Sequence, residues 1–249
     1  MHVARETLTP EDFAIFINVK VETSQGGNNA LLYAIGGQNT NSYMLVHFLI
    51  VEAHANCNLS NDFERNSLLI AARRNQLNVV ELLLKNAVDI NFADANGCNA
   101  LHVVCTNGFV ECAELLLSYW YKLRKSDRSS VFNIDVEDSL SLTSLMKASI
   151  NNHLQIVQML LNYGASPRKT TLRGESALTL ACMQENAEIC ERLIIAKANV
   201  NELDNHQRTP LLKAARHNSK SDIVRLLLKH GAKPDIADEE GNTPLHFAA

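Results

Sequence analysis

An all-α solenoid of stacked helix-turn-helix units, each preceded by a β-hairpin or loop finger, is the fold class that this sequence predicts. Three observations carry it. A short apolar motif recurs at near-constant spacing, and residues that start and stop helices stand at fixed offsets from it. The composition also suits closely packed helices, with 46% apolar but only 6% aromatic residues. A period of about 20–50 residues marks a repeat architecture, where each repeat contacts only its neighbours and added length adds repeats, not one larger core.

The motif reads Asn29-Ala30-Leu31-Leu32-Tyr33-Ala34, then Asn66-Ser67-Leu68-Leu69-Ile70-Ala71, Asn99-Ala100-Leu101-His102-Val103-Val104 and Thr143-Ser144-Leu145-Met146-Lys147-Ala148. It returns as Ser176-Ala177-Leu178-Thr179-Leu180-Ala181, Thr209-Pro210-Leu211-Leu212-Lys213-Ala214 and Thr243-Pro244-Leu245-His246-Phe247-Ala248. The second positions, from 30 to 244, are separated by 37, 33, 44, 33, 33 and 34 residues. An ordinary helical bundle would carry apolar stripes too, but it predicts no fixed period.

Each element of the pattern has a physical reason. Asn, Ser or Thr at the first position caps a helix, and Pro in the next place loses nothing by lacking an N–H. Alanines let the first helix approach its neighbours closely. Second-helix segments such as Val79–Leu84, Ile156–Leu161 and Ile223–Leu228 supply the leucines that seal the stack. Gly164 and Gly231 follow helices where a left-handed residue ends the last turn. Asp94-Ala95-Asn96-Gly97 and Asp238-Glu239-Glu240-Gly241 read as the starts of fingers.

On these residues, above all the nearly complete Thr-Pro-Leu-His-x-Ala signature at Thr243–Ala248, the chain resembles the ankyrin repeat family. The resemblance covers residues 28–249, with repeats starting near 28, 61, 94, 138, 171, 204 and 238. Residues 1–27 carry no clear signature; Thr9-Pro10-Glu11-Asp12 followed by Phe13, Ile15 and Phe16 reads as a capping helix or a degenerate repeat. The last repeat stops inside its first helix at Ala249, so a continuation of the natural protein is expected. The spacing of 44 places an insertion at 121–137: a second helix extended through Ser118–Leu123, then the polar run Arg124–Ser130. Two readings of it stay open, a surface insertion packed on its own repeat and a second contact surface or phosphorylatable loop.

The net charge of −4 gives no overall positive field for nucleic acid or anionic lipid. No apolar segment opens the chain and none reaches membrane-spanning length. Six scattered cysteines, several within apolar helical runs, read as small hydrophobes in a reducing cytosolic or nuclear setting. Cys98, Cys105 and Cys112 are evenly spaced but fall on different elements, and no paired CxxC spacing supports zinc. The phosphate-loop, dinucleotide, zinc-protease and nucleophile-elbow motifs are absent from the sequence. His102 and His246 fall where the family's histidine tethers a helix to nearby loops. No catalytic residue, metal or cofactor is therefore expected.

What the resemblance implies about function is protein binding by a monomeric array, on a concave side made of finger tips and first-helix faces. Reading those positions off this sequence gives Phe63, Arg65, Arg73 and Arg74, then Leu140, Leu142, Ile150, Leu172, Arg173 and Met183, and finally Arg208 and Arg216. Exposed apolar positions in two adjacent repeats, flanked by arginines, suit a protein or peptide with hydrophobic anchors and acidic flanks. Nucleic acid is disfavoured because no aromatic residues interleave the arginines. The expected role is a non-enzymatic scaffold or adaptor. The alternatives are a substrate-recognition or regulatory region of a larger enzyme, channel or ubiquitin ligase, or a pathogen effector or viral host-range protein. Leu83–Asn91 also resembles the ankyrin sequence modified by an asparaginyl hydroxylase, which marks Asn91 as a candidate for hydroxylation; Asn201 is a weaker match.

Overall fold

Six first helices open in the same way. A side-chain oxygen accepts the backbone N–H three residues on: Asn29 from Leu32, Asn66 from Leu69, Asn99 from His102, Thr143 from Met146, Ser176 from Thr179 and Thr209 from Leu212, at 2.9–3.3 Å. In this computed structural model, which describes residues 17–19, 27–37, 42–126, 133–217 and 221–248, these caps start α1 (Ala30–Gly36), α3 (Ser67–Arg73), α5 (Ala100–Asn107), α7 (Ser144–Ile150), α9 (Ala177–Met183) and α11 (Pro210–Arg216). Each is followed by a second helix: α2 (Ser42–His47, running into a π-helical turn at Phe48–Glu52), α4 (Leu77–Lys85), α6 (Val110–Ser126), α8 (Leu154–Asn162), α10 (Ala187–Ile195) and α12 (Ser221–Lys229). The first helix of a further pair is α13 (Pro244–Ala248).

The chain forms two compact units, residues 1–104 with 111–130 and residues 105–110 with 131–249. In the first, α1 packs on α2 and α3, and α4 packs on α2 and α3. In the second, α7, α9, α11 and α13 pack in series as one layer, while α8, α10 and α12 form the other. Ala148, Ala181 and Ala214 are fully buried on the first helices, and Leu160, Leu193 and Leu227 are fully buried on the second. Small residues on one layer and leucines on the other let the layers close; each buried leucine contributes about 2 kcal/mol. Helix α6 takes up the first residues of the insertion, with Trp120 buried under the Arg124 guanidinium, 5.6 Å from its ring centre. The N-terminal capping helix and the polar run of the insertion fall mostly outside the described residues; of the former, Ile17 is fully buried and Asn18 accepts the Asn56 N–H at 3.0 Å.

The fingers share one device. An oxygen at the root of each, on Asn61, Asp94, Asp138, Thr171, Asp204 or Asp238, accepts the backbone N–H groups two and four residues on. The third residue after the root is left-handed, at Glu64, Gly97, Ser141, Gly174, Gln207 and Gly241. Strand pairing shrinks to two isolated antiparallel bridges among the described residues, Ala93 with Asn99 and Thr170 with Ser176, so the fingers are tight turns.

The second oxygen of the root carboxylate binds a cation. Asp138 meets Lys147 at 2.6 Å, and Asp204 meets Lys213 at 3.0 Å, with Glu175 on the same ammonium at 2.7 Å. Burial works against both charged carboxylates, but the lysine and the backbone N–H groups outweigh it and hold Asp138 and Asp204 below the usual carboxylate range. The folded state then binds these protons more weakly than the unfolded state. Their contribution is complete above the unfolded carboxylate value of about 4 and is lost as pH falls through the lower folded values.

The thermal midpoint should therefore stay level from neutrality to about pH 5 and drop below about pH 4. Asp138→Asn keeps the turn acceptor, loses Lys147, and should cost on the order of 2 kcal/mol at pH 7 while flattening the acid drop; a full-strength acid drop in this variant would contradict the assignment. A Cβ on Gly174 would lie 2.9 Å from Asn205 N and 3.0 Å from Asp204 Cα, whereas one on Gly241 meets open space. Gly174→Ala should lower the melting temperature clearly more than Gly241→Ala, which carries only the left-handed penalty of about 1 kcal/mol. Equal shifts in scanning calorimetry would mean that the finger contact is not constraining.

Candidate partner-binding site

In the second unit the fingers rooted at Asp138 and Thr171 lie side by side. Leu172 N–H donates to Leu140 O at 3.4 Å, and the next finger is fastened on by Asn205, whose N–H donates to Arg173 O at 2.9 Å and whose Nδ2 donates to Leu172 O at 2.8 Å. Two adjacent turn tips thereby present Leu140 and Leu172, which are 60% and 64% exposed. Behind them is a cleft of about 360 Å³ lined by Leu140, Leu142, Ile150, Thr171, Leu172, Arg173, Glu175 and Leu180. Leu180 is buried at its base, and Glu175 is held inward by the buried Lys213. Arg173 stands exposed at the rim.

Five of the residues read from the sequence thus share one cleft: Leu140, Leu142, Ile150, Leu172 and Arg173. Met183, half-buried, does not line it. Arg208 is half-buried and turned to Asp238 at 3.7 Å, and Arg216 lies over the Phe247 ring at 5.6 Å; neither lines the cleft. Leu180 was missed. It stands nine residues after its finger root, where the adjacent repeats carry Lys147 and Lys213 but others carry Ile70, Val103 and Phe247, so its position gave no distinctive signal.

The remaining residues belong to the first unit. Phe63 is 53% exposed with the Arg65 guanidinium 5.3 Å from its ring centre, Arg73 reaches the buried Asp94 at 3.1 Å, and Arg74 is exposed. They line a second cleft of about 380 Å³ with Asn28, Leu32, Tyr33, Gly36, Gly37, Asn61 and Ile70.

Buried thiols do not offer reactive chemistry. Burial pushes Cys57 and Cys112 up to about 11, with the Glu111 charge adding to the effect at Cys112. Cys105 is raised by burial, and Cys182 by its contact with Cys190, whose sulfur is 3.6 Å away, and by burial. His102 is buried and its Nδ1 lies 2.9 Å from Asn99 Oδ1, within its own helix cap. Asn91 is exposed; its N–H donates to Asp89 Oδ1, and its carboxamide has no hydrogen-bond partner among the described residues. The equivalent Asn58 and Asn201 use theirs to brace the following turn, through the Asp89 and Lys233 N–H groups. Among the described residues no helix is long and apolar enough to cross a membrane.

Comparison with known proteins agrees with this architecture. The family profile described as "Ankyrin repeats (3 copies)" matches residues 31–129, 125–204 and 178–249. The ankyrin repeat protein FPV031 of Fowlpox virus (strain NVSL) is 33% identical over 191 residues, 74% of this chain and 44% of that protein. YahD of Escherichia coli (strain K12) is 28% identical over 72% of this chain and 87% of its own length. Ankyrin repeat and SOCS box protein 3 of Homo sapiens is 31% identical over 72% of this chain but 33% of its length, so the chain spans less than half of the viral and human relatives. Among solved structures, the ankyrin repeat domain of Bcl-3 superposes with a TM-score of 0.75 at 22% identity, covering 90% of this chain and 96% of that one. Ankyrin repeats are in general protein-interaction modules. With the profile covering residues 31–249 and the two-layered helix pairs in place, the chain belongs to the ankyrin repeat family.

Proposed function

We propose that this chain is a non-enzymatic scaffold or adaptor that holds a segment of a partner protein, seating an apolar side chain in the cleft behind Leu140 and Leu172. The observation that carries this reading is the pair of neighbouring fingers, which hold two leucines in water beside a leucine-floored cleft. Exposed apolar patches of this kind serve interaction surfaces. Arg173 at the rim suits an acidic residue flanking the anchor. The cytosol or nucleus is the setting that suits six cysteines that form no disulfide and are mostly buried.

Peptides selected on the wild-type chain from a displayed random library should share a bulky apolar anchor. Leu140→Ser with Leu172→Ser should weaken the best of them by about 10- to 100-fold in calorimetric titration, with an unchanged melting temperature. Selected peptides without a common anchor, or equal affinity for the double variant, would remove the cleft from the function. Arg173→Glu should weaken only those peptides that carry an acid beside the anchor.

A second reading is favoured by the human relative, whose name joins ankyrin repeats to a SOCS box. In it, the same cleft is the substrate-recognition or regulatory region of a larger enzyme, channel or ubiquitin ligase, or of a pathogen effector. The coding sequence flanking these residues decides between the two: an attached catalytic or membrane domain favours the second. Asn91 is proposed as a modification site on its exposed, unbonded carboxamide. Intact-mass measurement after incubation with an asparaginyl hydroxylase should show one added oxygen, absent in Asn91→Ala; no added mass ends that proposal.

A further inference from the structure

The cleft of the first unit has a different chemistry from the leucine-floored one. Three guanidiniums line it, those of Arg65, Arg73 and Arg74, together with the rings of Tyr33 and Phe63. Their charges are not equally satisfied. Arg73 is neutralised by Asp94 at 3.1 Å. Arg65 and Arg74 make no ion pair among the described residues. Arg65 is half-buried with its plane near Phe63, and its Nε is shut off from water without a hydrogen-bond partner. A guanidinium held against a ring is a pre-oriented fork for a carboxylate. The acids on the same finger do not fill this role: Asp62 packs its carboxylate against Gly27, and Glu64 is exposed; neither lines the cleft.

We infer that this cleft is a second recognition site, for an acidic peptide segment of a partner protein. One or two carboxylates would sit on Arg65 and Arg74, with an adjacent apolar or aromatic side chain against Phe63 and Tyr33. Two guanidiniums without an ion pair among the described residues match one or two carboxylates. A phosphate backbone would need a longer row of cations, and the chain's net charge of −4 opposes it. The site uses residues separate from the leucine-floored cleft, so either assignment can fail alone.

The test is fluorescence anisotropy on the full chain at low salt, with a labelled peptide Gly-Ser-Asp-Glu-Pro-Glu-Ala-Ser-Gly, which carries no bulky anchor for the leucine-floored cleft. Its counterpart carries Asn for Asp and Gln for Glu. The acidic peptide should bind and the amide counterpart should not. Arg74→Glu should weaken the acidic peptide by about tenfold or more, and Arg65→Lys, which keeps the charge but loses the fork, should weaken it measurably less. Leu172→Ser should leave it unchanged. Equal binding of both peptides, no binding of the acidic one, or an unaltered affinity in Arg74→Glu overturns the inference. Loss in Leu172→Ser with retention in Arg74→Glu overturns it too and assigns the peptide to the other cleft. A labelled single-stranded oligonucleotide that displaces the peptide at lower concentration makes the site one for nucleic acid, which also overturns it. Unchanged helical circular dichroism of Arg74→Glu keeps the comparison valid even where Arg65→Lys fails to fold.

Discussion

A single side-chain oxygen at the root of each finger organises what surrounds it. By accepting two backbone N–H groups it turns the chain back on itself, fixes the left-handed residue at the third place, and delivers the helix cap five residues on at its correct position. Five of the six roots are Asn or Asp and the sixth, Thr171, does the same work with a hydroxyl. The carboxylates carry a second oxygen, and that oxygen is where the fold becomes electrostatic. Burying a charge is favourable only when it is paired and hydrogen-bonded, and Asp138 and Asp204 have both a lysine and two amides. Asn61 uses the spare valence differently, donating from Nδ2 to Asn28 Oδ1 at 3.0 Å.

This constraint divides each repeat into positions with no freedom and positions with a great deal. Nine places after the root the chain carries Lys147 and Lys213, which neutralise a root, and apolar Ile70, Val103, Leu180 and Phe247. In the repeat rooted at the uncharged Thr171 that position lies at the base of the leucine-lined cleft. Twelve places after the root stand Arg73, Ile150, Met183 and Arg216, each in a different environment. Specificity in such an array is the departure of one repeat from the pattern of its neighbours.

The period, the caps and the fold class were legible in the sequence because each rests on local chemistry: a capping oxygen, a proline at the first turn, a leucine stripe. Leu140, Leu142, Ile150, Leu172 and Arg173 were found by repeat position, and the structure gathers them in one cleft. The residues that were not legible involve partners in a neighbouring repeat. Arg208 reads as a surface cation, yet it turns to Asp238, thirty residues on; Arg73 reads likewise, yet it is bound to Asp94. Leu180 reads as ordinary core. A periodic pattern reports which face a residue is on, and says little about which neighbour takes its charge.

The left-handed tip residue has an evolutionary consequence. At Glu64, Ser141 and Gln207 the slot holds a side chain, and at Gly241 the space around it is open, so most tips are free to drift. Gly174 is different, because the backbone of Asp204 and Asn205 occupies the volume that any side chain there would need. Leu172, two residues before it, is therefore held in register by a finger that does not itself touch the cleft. Inheritance of the cleft's shape is tied to two repeats at once, and a recombination or duplication event that separated them would change what the surface recognises without altering any residue that lines it.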